Sequence, residues 1–395
     1  MFRIKKIRIR KILNSHLNFT NEFIIELEDG AIGIGASSQG ETISIYEDKK
    51  VSIDPEIIIK TIEADNLVGK PLDQELFDTY LTQHRIEFGQ NNAYGLSGAL
   101  FNATLSKQTL FELFHKPRST LTPSYLCLNI LNGGWHAYTN PVLSDFSEFM
   151  LVSKCNDLEE VITEHNEIQK VVKEKQLKQT KTVVSGNPVN SFRTRDNREG
   201  IEFLLKILEG LGLSKKYDLM IDASAGDLWN GRGYCLGVTD NSIHSPDDFV
   251  KYWLSMIQQY NLRFLEDPFH EEDFDSWREL TTAQDQSCII GDNLYSSDAR
   301  RISEGAAMKY THAVVIKPNQ AGTVTAVKEA IEAAEKTGQI VITSHRSIST
   351  ESTFLSKLTC IFNIKYIKIG PLATDYSSVV RMNEIIRLTE EMYGS

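Results

Sequence analysis

Long apolar runs and an excess of positive charge are both absent from this sequence. Across its 395 residues no apolar stretch reaches the roughly 18 residues that a membrane-spanning helix needs. The formal net charge is -11, which disfavours nucleic acid and anionic membranes because attraction to phosphate requires a basic surface. We therefore expect no membrane and no nucleic-acid partner.

Cysteine is also scarce. The five thiols (Cys127, Cys155, Cys235, Cys288 and Cys360) are an odd number, widely spaced and without a C-x-x-C pair. This pattern excludes a disulfide framework or a zinc ribbon and predicts a reducing cytoplasm. The basic opening MFRIKKIRIRK alternates with period 2 and no apolar stretch follows it, so it predicts a first strand rather than a signal peptide.

Residues 1–118 carry the pattern of an α+β domain. Strand-like segments (IKKIRIRKIL, FIIELEDG, AIGIGASSQGETISIYED) come first, and helical segments such as PEIIIKTIEA and AYGLSGALFNATL follow. The segment KPRSTLTPS has two prolines among polar residues and predicts a domain boundary there. GAIGIGASSQG does not satisfy G-x-G-x-x-G because position 38 is Ser, so it does not indicate a dinucleotide site.

Residues 119–395 alternate short apolar strands with helical stretches. The strand-like segments are YLCLNIL, SEFMLVS, TVVSG, YDLMID, LRFLED, SCIIGD, AVVIK, IVITSH and YIKIG. Such alternation predicts a parallel sheet, and so many units predict a closed α/β (TIM-like) barrel. The stretch DLWNGRGYCLGV predicts a small hairpin or loop inserted after one strand.

Successive strands of this predicted barrel end on an ionisable residue. These residues are Asp222, Glu266, Asp292, Lys317, His345 and Lys368. The carboxyl ends of barrel strands open on one face, where active sites are built. Any one such residue could be a loop ion pair or a helix cap, but six together predict a site.

The chemistry of this set indicates a metal and a base. Asp222, Glu266 and Asp292 offer only oxygen ligands with a high negative charge, which suits Mg²⁺. Lys317 and Lys368 come from later strands, and a lysine beside a cation and another ammonium group has its pKa lowered, which suits a general base. The combination predicts proton abstraction next to a substrate carboxylate.

The sequence resembles the enolase family along nearly its whole length. Matching motifs occur in order: KILNSHLNFTNEF, GASSQGE, NNAYGLSGAL, LNGGWHA, SEFM, MIDAS, LEDPF, GDNL, IKPNQAGTVTAV, SHRS and IKIGP. The resemblance implies that an α+β domain caps an enolase-type barrel. It also implies a homodimer and a small phosphorylated carboxylic acid as substrate.

The resemblance also implies roles for individual residues. Lys317 would remove the C2 proton of 2-phosphoglycerate, and Lys368 would stabilise the enediolate. Asp222, Glu266 and Asp292 would hold the Mg²⁺ that binds the substrate carboxylate.

Further residues are implied to bind substrate or to assist catalysis. Arg346 and Ser347 would bind the phosphate, while His345 and His136 would line the pocket. Glu148 matches the second catalytic acid of the family. Ser37, in GASSQGE, would reach a second, substrate-dependent Mg²⁺.

The chain departs from the family pattern in one functional loop above all. Where the family has an acidic GDEGG loop, this chain reads VVSGNPVNS, and no Asp or Glu occurs between Glu174 and Asp196. Smaller departures are Asn293 in GDN, Ser147 before Glu148, S-H-R-S-I-S in place of SHRSGE, and a shorter stretch after Lys50. A missing positioned acid lowers a rate by ~10²–10⁴-fold, so slow dehydration is expected.

Three functions follow from the sequence. The first is interconversion of 2-phosphoglycerate and phosphoenolpyruvate. The second is a paralogue acting on a related phospho- or phosphono-carboxylic acid in specialised metabolism. The third is a weakly active homologue with a binding or moonlighting role, against which the retained lysines and carboxylates argue.

Overall fold

The computed structural model of the chain describes residues 1–38, 40, 44–47, 54–105, 122–133, 140, 142–176 and 196–393, and the backbone of 181–184, 187–190 and 192–193. An antiparallel sheet with helices is followed by a closed eight-stranded barrel, which confirms the predicted fold class. The predicted boundary between residues 118 and 119 lies outside the described residues. Among the described residues, no helix combines the length and apolarity needed to cross a bilayer.

The N-terminal unit is a four-stranded sheet covered by helices. Its elements are β1 (Phe2–Leu13), β2 (Phe19–Leu27), β3 (Ile32–Ala36), α1 (Pro55–Ala64), β4 (Pro71–Leu72), α2 (Gln74–Gln83), α3 (Arg85–Phe88) and α4 (Gln90–Leu105). The strand order is β3-β2-β1-β4, with antiparallel pairing. Ile7 and Ile25 are register partners on the buried face, so the period-2 pattern of β1 places apolar side chains against the helices.

The glycines of β3 are explained by its close approach to α4. A Cβ atom at Gly33 would overlap the backbone of Ala99, and one at Gly35 would overlap that of Gly95. Strand and helix therefore touch backbone to backbone, which only small residues permit. This contact accounts for both GAIGIG and the small-residue stretch AYGLSGAL.

The remaining elements build the barrel and its surroundings. The strands are β5 (Tyr125–Asn132), β6 (Val142–Leu143), β7 (Glu148–Ser153), β8 (Lys181–Val184), β9 (Asn187–Asn190), β10 (Phe192–Arg193), β11 (Tyr217–Asp222), β12 (Tyr234–Leu236), β13 (Ser242–His244), β14 (Phe264–Glu266), β15 (Cys288–Gly291), β16 (Ala313–Ile316), β17 (Ile340–Ser344) and β18 (Tyr366–Lys368). The helices are α5 (Leu158–Gln176), α6 (Arg198–Gly210), α7 (Pro246–Tyr260), α8 (Phe274–Ala283), α9 (Ala299–Ala307), α10 (Pro318–Ala321), α11 (Val324–Thr337), α12 (Phe354–Ile361) and α13 (Tyr376–Tyr393). The barrel order is β11-β14-β15-β16-β17-β18-β5-β7.

Two details of the barrel differ from the prediction of uniformly parallel strands. The segment SEFMLVS forms β7, which runs antiparallel to both β5 and β11. The described residues between β5 and β7 contain no helix, whereas two helices, α5 and α6, lie between β7 and β11. The segment TVVSG contributes to β8, which pairs with β9 outside the barrel.

The predicted insertion is a hairpin. The strands β12 and β13 pair antiparallel and come directly after a short 3-10 helix, Ala225–Leu228. This agrees with the expectation for DLWNGRGYCLGV.

A buried carboxylate joins the N-terminal unit to the barrel. Asp78 on α2 is 1% exposed and accepts hydrogen bonds from the backbone N–H of Thr325 (2.8 Å) and from its hydroxyl (2.7 Å). It also accepts from Ser97 Oγ at 2.6 Å, and that same oxygen accepts from the backbone N–H of Val324 at 2.9 Å. Asp78 and Ser97 thus bind N–H groups in the first turn of α11 that have no partner within that helix.

Candidate active site

The six strand-end residues meet at the carboxyl-terminal mouth of the barrel. Most of them line a cavity of about 490 Å³, a volume that includes open solvent at the entrance. The lining residues are Gly40, Glu148, Asp222, Ser224, Asp292, Asn293, Lys317, Ser344, His345, Arg346, Ser347 and Lys368. Glu266 lies beneath them and is fully buried.

Glu148 reaches this mouth because its strand is antiparallel. It is the first residue of β7, and its register partners are Asp222 on β11 and Asn132 on β5. A shift in register of β5 between Asn129 and Leu131 accompanies this pairing. Asn129 Nδ2 donates to Glu148 Oε1 at 2.6 Å, so the carboxylate is held in place by the neighbouring strand.

Lys368 lies at the centre of the carboxylates. Its Nζ donates to Asp222 Oδ2 at 3.0 Å and to both oxygens of Glu266 at 2.8 and 2.7 Å, and it lies 3.3 Å from Glu148 Oε2. Burial alone would lower the pKa of Lys368, but the negative charges of Asp222 and Glu266 outweigh it and raise that pKa well above the ordinary value. This direction is opposite to the one expected beside a bound cation, and Lys368 is an ammonium here.

The carboxylates around Lys368 titrate differently from one another. Burial, followed by the charge of Asp222, raises the pKa of Glu266 well above its ordinary value. Burial also acts to raise the pKa of Asp222, but Lys368 and Lys317 outweigh it and hold that pKa at about 2.

Lys317 pairs with the third strand-end carboxylate. Its Nζ donates to Asp292 Oδ2, while its backbone N–H donates to Ser297 Oγ at 2.9 Å. The other carboxylate oxygen of Asp292 is buried and has no hydrogen-bond partner among the described residues. A buried oxygen without a partner is costly, so this position calls for a further positive charge or donor.

Asp267 supports this carboxylate and was not predicted. Its side chain accepts from the backbone N–H groups of Asp292 and Asn293, both at 2.9 Å. Burial and the charge of Asp292 raise the pKa of Asp267 well above its ordinary value. The sequence signal was its position directly after Glu266 in LEDPF. In the structure Asp267 has a positive φ of 42°.

The carboxylates suit a divalent cation, although the ammonium groups now lie between them. No group of three or more His, Cys, Asp or Glu side chains in the described part of the chain is arranged to hold a metal ion as it stands. The carboxylates nevertheless outnumber the ammonium groups of Lys317 and Lys368, and one oxygen of Asp292 is unpaired. An all-oxygen anionic set with spare charge is what Mg²⁺ requires.

The segment after β17 brings a neutral histidine and a guanidinium to the cavity. Burial, and then the positive charges of Arg381, Lys368 and Lys317, hold the pKa of His345 well below its ordinary value. His345 Nδ1 lies 3.2 Å from the carbonyl oxygen of Lys368. A carbonyl only accepts, so Nδ1 carries the proton and Nε2 can accept a hydrogen bond.

Arg346 contacts Glu47, which in turn accepts a hydrogen bond from Gln320, and no sequence pattern indicated either residue. Its Nη1 lies 3.1 Å from Glu47 Oε1, and Gln320 Nε2 donates to the same oxygen at 3.1 Å. Ser347 lines the cavity beside it.

One predicted residue, Ser37, does not line the described cavity. The hydroxyl of Ser37 is buried and donates to Asn92 Oδ1 at 3.1 Å, so it bonds within the N-terminal unit. His136 lies outside the described residues.

The segment that replaces the acidic loop contains a hairpin. Residues 181–184 and 187–190 pair antiparallel as β8 and β9, with Val184 opposite Asn187. The backbone here forms a short ladder, and the sequence offers no carboxylate on it.

Comparison with known proteins agrees with this architecture. A family model described as the C-terminal TIM barrel domain of enolase matches residues 122–395. The enolase of Natranaerobius thermophilus is 28% identical over 420 aligned positions, which cover 100% of this chain and 96% of that protein.

Proposed function

Because this chain belongs to the enolase family, we propose that it is a magnesium-dependent lyase that interconverts 2-phosphoglycerate and phosphoenolpyruvate. One observation carries the proposal: three strand-end carboxylates and two lysines face one another across a single barrel mouth. Such a set has little use in a protein that only binds a partner, which argues against a purely moonlighting role.

The carboxylates of Asp222, Glu266 and Asp292 would hold Mg²⁺. When bound, the ion supplies Lewis-acid stabilisation of the charge that develops on the substrate carboxylate. A second ion at Ser37 would use the lone pairs of a hydroxyl whose proton is donated to Asn92 Oδ1.

The chain's own residues would carry the proton transfers. Lys317, in its neutral form, would take the C2 proton, and the positive charge of Lys368 would stabilise the enediolate of the substrate. Arg346 and Ser347 would bind the phosphate. The neutral His345 can accept a hydrogen bond at Nε2 and thereby orient a substrate hydroxyl.

Departure of the C3 hydroxide needs a proton, and Glu148 is the motif-matched carboxylate available to supply it. The protonated form would give its proton to the leaving oxygen as the C–O bond breaks, so that water leaves. Its position in the cavity that Lys317 and Lys368 also line supports this role. The family's acidic loop would normally assist here, and this chain has no acidic residue in the corresponding segment.

That same absence supports a second candidate, a paralogue acting on a related phospho- or phosphono-carboxylic acid. A substrate with a better leaving group would not need the missing acid. The enolisation residues and the phosphate-binding residues would serve both substrates equally.

One experiment separates the two candidates. Purified protein with Mg²⁺ and 2-phosphoglycerate would be followed both by enolpyruvate absorbance and by exchange of the C2 proton with deuterated water. Turnover that Glu148→Gln lowers by ~10²–10⁴-fold would support the hydratase. Retained exchange with little turnover would favour the paralogue, and absence of both would refute the proposed lyase.

The proposal includes a cytoplasmic homodimer, as the family resemblance implies. Leu13, Leu17 and Phe19, around the turn between β1 and β2, are 50%, 79% and 74% exposed and would suit contact with a second copy. Sedimentation velocity should give twice the mass of the chain, and a monomer at micromolar concentration would refute this part.

A further inference from the structure

A short piece of the N-terminal unit lies directly on the barrel mouth. Residues 44–47, here called the mouth segment, contact three separate parts of the barrel. Ser44 Oγ donates to the carbonyl of Asn293 at 2.7 Å, and the backbone N–H of Ile45 lies 3.4 Å from Glu271 Oε1. The guanidinium carbon of Arg301 lies 3.6 Å from the centre of the Tyr46 ring.

The last residue of the mouth segment places a carboxylate on Arg346. Glu47 Oε1 accepts from Arg346 Nη1 at 3.1 Å, from Gln320 Nε2 at 3.1 Å and from the backbone N–H of Ser44 at 3.2 Å. The side chains of Arg346 and Glu47 are 4% and 8% exposed, so the pair is largely removed from water.

The other side of the guanidinium is covered as well. A Cβ atom at Gly40 would overlap Nη2 of Arg346, so the backbone of residue 40 lies against it. The guanidinium is therefore enclosed between Gly40 and Glu47. Among the described residues, Glu47 is an acidic side chain that contacts Arg346, so an anion that binds the same Nη1 must take its place.

We propose that Glu47 occupies the anion subsite of the free protein and that the substrate's phosphoryl group displaces it. This inference rests on the proposed function, in which Arg346 binds that group. Because Glu47 carries a single negative charge, a ligand must bind Arg346 more strongly than a carboxylate does. Glu47 thus sets a minimum binding strength that a dianionic phosphoryl or phosphonyl group can exceed and a simple carboxylate cannot.

The alternative role for Glu47 is to orient Arg346 for its ligand, and the two roles predict opposite signs. If Glu47 competes with the ligand, its neutralisation strengthens anion binding. If Glu47 orients Arg346, its neutralisation weakens anion binding. The sign of the change therefore decides between them.

The test uses inorganic phosphate as the probe and needs no turnover. The thermal unfolding midpoint of the full chain would be measured against phosphate concentration at pH 8 without divalent cations, to give an apparent Kd. Glu47→Gln should bind phosphate on the order of tenfold tighter than the parent chain, because a charge-assisted hydrogen bond no longer has to be exchanged. Acetate should also gain affinity, by a similar factor, because Glu47 competes with both anions for Arg346.

Two further variants sharpen the test. Ser44→Ala removes the hydroxyl that anchors the mouth segment to Asn293 while keeping Glu47, and it should give a smaller gain in the same direction. Glu28→Gln changes an exposed carboxylate whose side chain is 54% exposed, and its phosphate affinity should equal that of the parent chain.

Unchanged or weaker phosphate binding in Glu47→Gln would overturn the inference, as would a gain that survives the addition of Arg346→Ala. Turnover of 2-phosphoglycerate is measured in a separate assay from phosphate binding. Normal turnover without the gain in phosphate binding refutes the role of Glu47 alone. The gain without turnover refutes the proposed reaction and leaves the role of Glu47 intact.

Discussion

At the scale of single residues, lysine ammonium groups partly offset the negative charge of the carboxylates at the barrel mouth. Lys368 pairs with both Asp222 and Glu266, and Lys317 pairs with Asp292. Buried carboxylates need such partners because an uncompensated buried charge is very costly. A cation that enters must therefore compete with ammonium groups that are already in place.

The first prediction concerns this competition. Asp292→Ala should weaken Mg²⁺ binding roughly 100-fold or more, because it removes one of three carboxylates that would ligate the ion. Calorimetric titration of the free protein with MgCl₂ measures it. Asp285→Ala, at an exposed position shortly before β15, is the matched control and should bind Mg²⁺ like the parent chain. Equal affinities in all three proteins would mean that the ion, if bound, lies elsewhere.

The second prediction assigns the base. Lys317→Ala should slow exchange of the C2 proton of 2-phosphoglycerate with deuterated water by ~10²–10⁴-fold, since the general base is lost. Proton NMR follows the exchange directly and does not depend on dehydration. Lys309→Ala, at an exposed position before β16, should exchange at the parental rate. Exchange at that rate in Lys317→Ala would assign the base to another residue.

At the scale of elements, sequence patterns predicted which residues the strands bring together but not every strand direction. An apolar run that ends on Asp222 or Lys368 identifies a strand and its carboxyl end, because period and boundary are local signals. The antiparallel direction of β7 depends on the number of helices between neighbouring strands. The sequence indicates that number less clearly than it indicates the strands and their ends. Glu47 carries no local signal, since its partner Arg346 is 299 residues away.

The third prediction concerns the joint between α2 and α11. Asp78→Ala should lower the free energy of unfolding by about 2–4 kcal/mol, because the N–H of Thr325 and the hydroxyl of Ser97 lose a buried acceptor. Urea denaturation followed by circular dichroism measures the change. Glu75→Ala, on the exposed side of the same helix, should alter stability by less than about 0.5 kcal/mol. Equal stability of the two variants would show that this joint contributes little.

At the scale of the whole molecule, one buried histidine should make stability depend on pH. His165 on α5 is 2% exposed, and neither ring nitrogen has a hydrogen-bond partner among the described residues. Burial, with a smaller contribution from the charge of Lys173, lowers the pKa of His165 to about 4. The folded chain therefore keeps this ring neutral while the unfolded chain protonates it.

The sign of the fourth prediction follows from linkage. Between pH 6.5 and about 4 the unfolded state binds the extra proton, so stability falls as the pH falls through this window. At pH 5 the loss from this residue should be about 2 kcal/mol relative to pH 8. His165→Leu should remove that part of the pH dependence, as measured by urea denaturation at both pH values. An identical pH dependence in the two proteins would contradict the assignment.

The seam between β18 and β5 has a consequence for the order of assembly. Tyr366 of β18 pairs with Tyr125 of β5, so the barrel closes between strands at opposite ends of its sequence. Asp222 and Glu266 are synthesised before Lys368, and until then they lack the ammonium group that donates to both of them. Burial of the two carboxylates is therefore less favourable before Lys368 is present. Lys368 supplies that charge and belongs to β18, the strand that pairs with β5, so charge balance and closure of the barrel depend on the same element.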